Sequence, residues 1–238
     1  MGGRPPSRVR IPPSPFLAET LRIAHRGYPG AGARENSLDA IEGALALGCD
    51  MVEIDVRRRR DGALVLDHDD GDQPGAPLLA DALVAIRNAG RLANLDLKLA
   101  TIGAQVTATV REAGMLERTT CTGCDWAALA AIQRAEPAMR IGLTVPRRGS
   151  EVPRPLRSLA LPVLRWHTAH SAIRLCRRYG ADLITLHHGL VSRAMAAAMH
   201  GAGYQVWCWT VDEPDELARV RSAGVDGICS DLPASHGL

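Results

Sequence analysis

Short apolar runs rich in β-branched residues alternate along this chain with alanine-rich stretches of helical period. The runs Leu21–His25, Met51–Val56, Asn94–Leu99, Thr119–Thr122, Arg140–Val145, Asp182–His187, Gln205–Thr210 and Val225–Ser230 predict strands. Between them, Ser37–Leu47, Leu78–Ala89, Ile102–Ala113, Trp126–Ala135, Ala169–Tyr179, Ser192–Gly201 and Pro214–Ala223 predict helices. A repeated βα unit of this number predicts an α/β fold of the (β/α)8 TIM-barrel type, because an open doubly wound sheet usually has fewer units.

The first helix shows how local chemistry supports this frame. Asn36 or Ser37 can cap its N-terminus, Asp39 suits its first turn, and Gly48 stops it. Leu38, Ile41 and Leu45 then share one face. The same glycine before a strand recurs at Gly114, Gly180, Gly203 and Gly224. Residues 1–18, with five prolines in the first fifteen, are expected to form a flexible arm, and residues 19–238 a single barrel domain. Pro146–Pro162, rich in proline and arginine, is expected to be a loop.

A length of 238 residues lets such a barrel bury a core without staples. Net charge is only +2, and there are 4 Trp, 3 Tyr and 1 Phe, which argues against nucleic-acid binding through basic patches or stacking platforms. No apolar run reaches the length of a membrane span, and the N-terminal residues contain no signal-peptide core. The six cysteines are scattered through predicted elements, so reduced thiols in a cytoplasm are expected. Cys121 and Cys124 form a CxxC without a second metal-binding pair and read as structural. Oligomeric state has no signature in the sequence. One imbalance stands out: among 28 basic residues, Lys98 is the single lysine.

Candidate chemistry follows from strand alternation. In Met51-Val52-Glu53-Ile54-Asp55-Val56 the apolar face packs on helices, so Glu53 and Asp55 point into the barrel. The next strand repeats the pattern, with Leu95, Leu97 and Leu99 outward and Asp96 and Lys98 inward. These charges can form a structural ion network with arginines, but a barrel interior is normally filled by apolar side chains. Three oxygen-donor carboxylates without a cysteine suit a hard divalent cation, Mg²⁺ or Ca²⁺, better than zinc. Such an ion can polarise a phosphoryl oxygen. His25, beside Arg26 at a strand end, and His68, closing the hairpin-like Asp61–Asp69 stretch, can act as general acid and base across one phosphorus.

Together these residues resemble the glycerophosphodiester phosphodiesterases. The resemblance rests on His25-Arg26-Gly27, Glu35-Asn36-Ser37, Gly48 to Val56, Asp61-Gly62 and His68-Asp69, an ordered and highly specific string. It continues through Asp96-Leu97-Lys98, Trp207 to Val211, Gly224 to Gly227 and Ser230 to Pro233. It implies a TIM barrel of lipid metabolism that hydrolyses a small phosphodiester with a bound divalent ion. By position, His25 and His68 are the acid–base pair, Glu53, Asp55 and Asp96 the metal ligands, and Arg26 and Lys98 the phosphate binders. Glu35 either supports the metal shell or orients an arginine. Trp209 borders the alcohol part of the substrate unless it is a core residue.

Two departures bear on the site. Asp96 stands where the family usually has a glutamate, and only 28 positions separate His68 from Asp96. The cap that relatives insert there is therefore expected to be short or missing, which makes a lysophospholipase D or sphingomyelinase D-like phospholipase the alternative enzyme. A barrel that binds a phosphorylated ligand without turnover is the non-enzymatic alternative. Arg57–Arg60 read as a solvated rim, or as an attractor of anionic headgroups, while His187 and His188 carry no assignment. Whether water or a neighbouring substrate hydroxyl attacks is likewise open.

Overall fold

A computed structural model describes residues 20–29, 32–145 and 170–236. The expected arm at 1–18 and the expected loop at 146–162 lie outside the described residues. The strands are β1 (Leu21–Ala24), β2 (Met51–Arg58), β3 (Leu64–Leu66), β4 (Leu92–Leu97), β5 (Thr119–Gly123), β6 (Arg140–Val145), β7 (Leu183–His187), β8 (Gln205–Trp209) and β9 (Gly227–Ser230). All but β3 pair in parallel, and β1 pairs with both β2 and β9, which closes an eight-stranded barrel. The helices are α1 (Leu38–Ala46), α2 (Leu79–Asn88), α3 (Gly103–Glu112), α4 (Trp126–Ala135), α5 (170–179), α6 (Arg193–Gly201) and α7 (Pro214–Ala223). None of the described helices is long and apolar enough to cross a membrane.

Predicted and observed ends agree within two residues. Only β4 is shifted by two residues at both ends, and it starts at Leu92 because its ladder to β2 already begins at the Met51↔Leu92 pair. The hairpin-like stretch after β2 is a true antiparallel addition, with β3 in the register Val56↔Leu66 and Arg58↔Leu64. From β3 the chain reaches α2 through residues 67–78 without an inserted helix or strand, so this connection carries no large cap.

The core has two parts. Outward strand residues such as Val52, Ile54, Val56 and Leu95 pack with Ile41, Leu83, Ile86 and Val106 of the helices, all fully buried. Inside the barrel, Leu21, Ile23, Met51, Leu183, Trp207 and Cys229 form a separate apolar plug. Its density explains Gly227, where an added Cβ would sit 2.8 Å from Trp207 Cδ1 and 3.0 Å from Ile23 Cδ1. The plug fills the end of the barrel at which the strands begin, leaving the other end to polar side chains.

Candidate active site

The polar end is built by alternation carried one or two residues further along the same strands. On β2, inward Met51 belongs to the plug, and inward Glu53 and Asp55 follow it. Both are buried, 5% and 1% exposed, and with half-buried Asp96 they bring ligand atoms within 4.8 Å of one another. Burial, followed by the charge of Asp55, pushes the Glu53 carboxyl up to about 7. Burial also works against ionised Asp55, but Lys98, Asn36 and Arg26 outweigh it and hold its carboxyl below the ordinary value. Lys98 Nζ lies 2.7 Å from Asp55 Oδ1 and 2.5 Å from Asp96 Oδ2, countering the repulsion of the trio.

The trio fits a hard divalent cation. Its donors are all carboxylate oxygens, and the strained charge balance at Glu53 is what a bound cation would relieve. Although Asp96 is one methylene shorter than glutamate, it still converges with the other two.

The turn after β1 meets this cluster at close range. Arg26 and Asn36 both adopt left-handed backbone, with φ of 50° and 55°, a conformation costly for residues with a side chain and concentrated at functional sites. Here the strain serves contacts: Arg26 N donates to Glu53 Oε2 at 2.8 Å, and Gly27 N donates to Glu53 O at 3.0 Å. Asn36 Nδ2 donates to Asp55 Oδ2 at 2.8 Å, and Asn36 Oδ1 accepts from Asp55 N at 3.0 Å. The two candidates for the α1 cap thus divide the work, because Ser37 Oγ accepts from Ala40 N and caps the helix. The Arg26 guanidinium reaches Glu35 Oε2 at 2.8 Å and Asp55 Oδ2 at 3.4 Å, so Glu35 is paired with this arginine.

His25 follows on the same turn. Its Nδ1 is 2.7 Å from Asp231 Oδ1, and its Nε2 is 4.0 Å from Glu53 Oε2. Burial drags the imidazole pKa down, but the Asp231 hydrogen bond and the charges of Glu53 and Asp231 more than reverse this, and the net shift is upward. His68 stands at the rim, where the loop after β3 returns beside β2 through Asp67 N donating to Asp55 O at 3.2 Å. Buried Asp67 accepts from Asp69 N and Gly71 N and pins that loop. The His68 ring pairs with Asp69 at 2.8 Å and is not hydrogen-bonded to the trio or to His25.

Trp209 is half-buried at the mouth, in register with His187, whose ring meets it edge-on at 5.8 Å. The core position belongs instead to Trp207, one layer below. The His188 ring lies 4.2 Å from that of His187, and its Nδ1 pairs with Glu216 at 3.1 Å. The rim arginines are engaged locally: Arg57 Nε donates to His68 O, Arg58 to Thr101, Arg59 pairs with Asp61, and Arg60 pairs with Asp72. All six cysteines are free, with Cys121 buried and its thiol pushed up to about 12 by burial. Beyond Asp96 and Lys98 opens a side cavity of about 590 Å³, walled by Cys124, Asp125, Trp126 and Tyr179.

Comparison with known proteins follows the same lines. The model of the glycerophosphoryl diester phosphodiesterase family matches residues 25–116 and 98–235. A protein of Mycobacterium tuberculosis named probable glycerophosphodiester phosphodiesterase 2 is 29% identical over 236 residues, covering 89% of this chain and 87% of its own. A glycerophosphodiester phosphodiesterase of Caldanaerobacter subterraneus is 24% identical over 252 residues, covering 90% and 95%. A solved Oleispira antarctica phosphodiesterase in complex with the product sn-glycerol-3-phosphate superposes with a TM-score of 0.70 at 20% identity, covering 91% of this chain and 94% of its own. Family match, barrel and convergent mouth agree: the chain belongs to the glycerophosphoryl diester phosphodiesterase family, a family of phosphoric diester hydrolases.

Proposed function

We propose that this protein hydrolyses glycerophosphodiesters to glycerol 3-phosphate and an alcohol, with a divalent cation, Mg²⁺ or Ca²⁺, held by Glu53, Asp55 and Asp96. The observation that carries this reading is the convergence of that trio with Arg26, Lys98 and His25 at one end of the barrel. When bound, the cation supplies positive charge to the phosphoryl oxygens. Arg26 and Lys98 grip the phosphate, Arg26 through a planar fork held in place by Glu35. One of His25 and His68 takes the proton of the attacking nucleophile, and the other gives a proton to the departing alkoxide. Trp209 borders the bound alcohol. The free thiols suit a reducing compartment and support a cytoplasmic site of action.

The test is direct. Incubated with glycerophosphocholine, the protein is expected to release glycerol 3-phosphate, and His25→Ala is expected to lower kcat by about 100-fold or more. Turnover at the parent rate in that variant would remove the two-histidine assignment. The short connection from β3 to α2 favours a second reading, in which the open mouth admits lysophospholipids. A higher kcat/KM on lysophosphatidylcholine than on glycerophosphocholine would decide for it.

A further inference from the structure

We propose that Asp231 is a positioning residue for His25, fixing the tautomer and orientation of the imidazole so that Nε2 faces the phosphoryl site. This inference rests on the acid–base role given to His25 above. An ionised carboxylate only accepts hydrogen bonds, so the 2.7 Å contact between Asp231 Oδ1 and His25 Nδ1 requires the proton to sit on Nδ1. Nε2 is then the nitrogen left to exchange a proton, and it is the one directed toward Glu53, at 4.0 Å. A carboxylate placed behind an imidazole in this way holds the ring in its working tautomer without becoming protonated itself.

The pair is built on rigid backbone. β1 and β9 are in register through Ala24↔Ser230, and His25 N donates to Ser230 O at 2.9 Å, which sets the two residues side by side past adjacent strand ends. Asp231 is held in turn, because its N–H and the Ser230 hydroxyl both donate to Asp212 Oδ1 at 2.9 Å. Leu232 N donates to Ser230 Oγ at 2.9 Å and closes the turn. A support of this kind has little freedom to swing, as a carboxylate that aims a catalytic ring requires.

The experiment compares the parent with Asp231→Ala, Asp231→Asn, His25→Ala and His25→Ala/Asp231→Ala, each assayed with added Mg²⁺ and, separately, with added Ca²⁺. Asp231→Ala is expected to lower kcat on glycerophosphocholine about 100-fold with KM within about threefold, and Asp231→Asn at least about 10-fold. In the His25→Ala background the second substitution is expected to remove nothing further, since the two residues act as a unit. Nitrogen-15 histidine spectra should show His25 as the Nδ1–H tautomer in the parent and as a mixture in Asp231→Ala. A kcat within twofold of the parent in both Asp231 variants overturns the proposal, as does a full additional loss in the double variant or an unchanged tautomer. An unimpaired His25→Ala enzyme instead overturns the acid–base assignment on which the proposal stands.

Discussion

Lys98 joins the composition of the chain to its chemistry. One lysine among 28 basic residues has been kept, and its Nζ lies within 2.7 Å of Asp55 and 2.5 Å of Asp96, where a guanidinium would need a wider site and would point its fork elsewhere. Lys98→Arg is therefore expected to reduce kcat by at least about 10-fold, while its thermal midpoint stays within a few degrees of the parent, since an isolated change of one cation for another leaves the core untouched. Steady-state kinetics beside a melting curve decide it, and equal turnover would make the lone lysine a coincidence. At this scale, strand alternation made the inward places of Glu53, Asp55, Asp96 and Lys98 legible. The partners that set their charge were harder to read. Asn36 looked like a cap and instead brackets Asp55, and Asp231 sits in a matched motif without a role until β9 is placed beside β1. Its signal in the sequence was slight: Asp231 is the next inward position after Cys229.

Elements were the most legible level, because a period of two and a period of 3.6 are set by local backbone geometry. Their packing into the barrel adds constraints that no single element carries. Gly227 lies on β9 in an ordinary strand, yet its missing Cβ makes room for Trp207 and Ile23 in the plug. Gly227→Ala is expected to destabilise the protein by about 1–3 kcal/mol through overpacking, read as a lower urea midpoint at unchanged m-value. A midpoint equal to that of the parent would mean that the Trp207 ring can step aside at no cost. The stretch after β2 shows the opposite limit. Its hairpin character could be read from Asp61-Gly62, but only the returning strand shows why His68 stands at the mouth, with the chain re-entering beside Asp55.

For the whole molecule, the charge arrangement at the mouth ties the proposed cation to the energetics of the folded state, because a bound ion would offset carboxylate repulsion there. Three carboxylates share a space under 4.8 Å wide, and the unfolded chain offers no comparable site. Chelation is expected to abolish turnover, and added Mg²⁺ or Ca²⁺ to restore it and to raise the thermal midpoint; at 100 times the Kd the gain is about 2.7 kcal/mol. Full activity in excess chelator, or a midpoint indifferent to both ions, would contradict the cation site. The sequence by itself determined the eight-unit α/β architecture, the inward carboxylates and the motif string, since these depend on periodicity and on neighbours a few residues apart. Only the tertiary structure decided which side chains meet: Arg26 with Glu35 and Asp55, His25 with Asp231, and Trp207 in the plug while Trp209 borders the mouth. Those pairings depend on barrel closure, which brings β1 and β9 together across more than 200 residues of chain, a distance over which local periodicity holds no information.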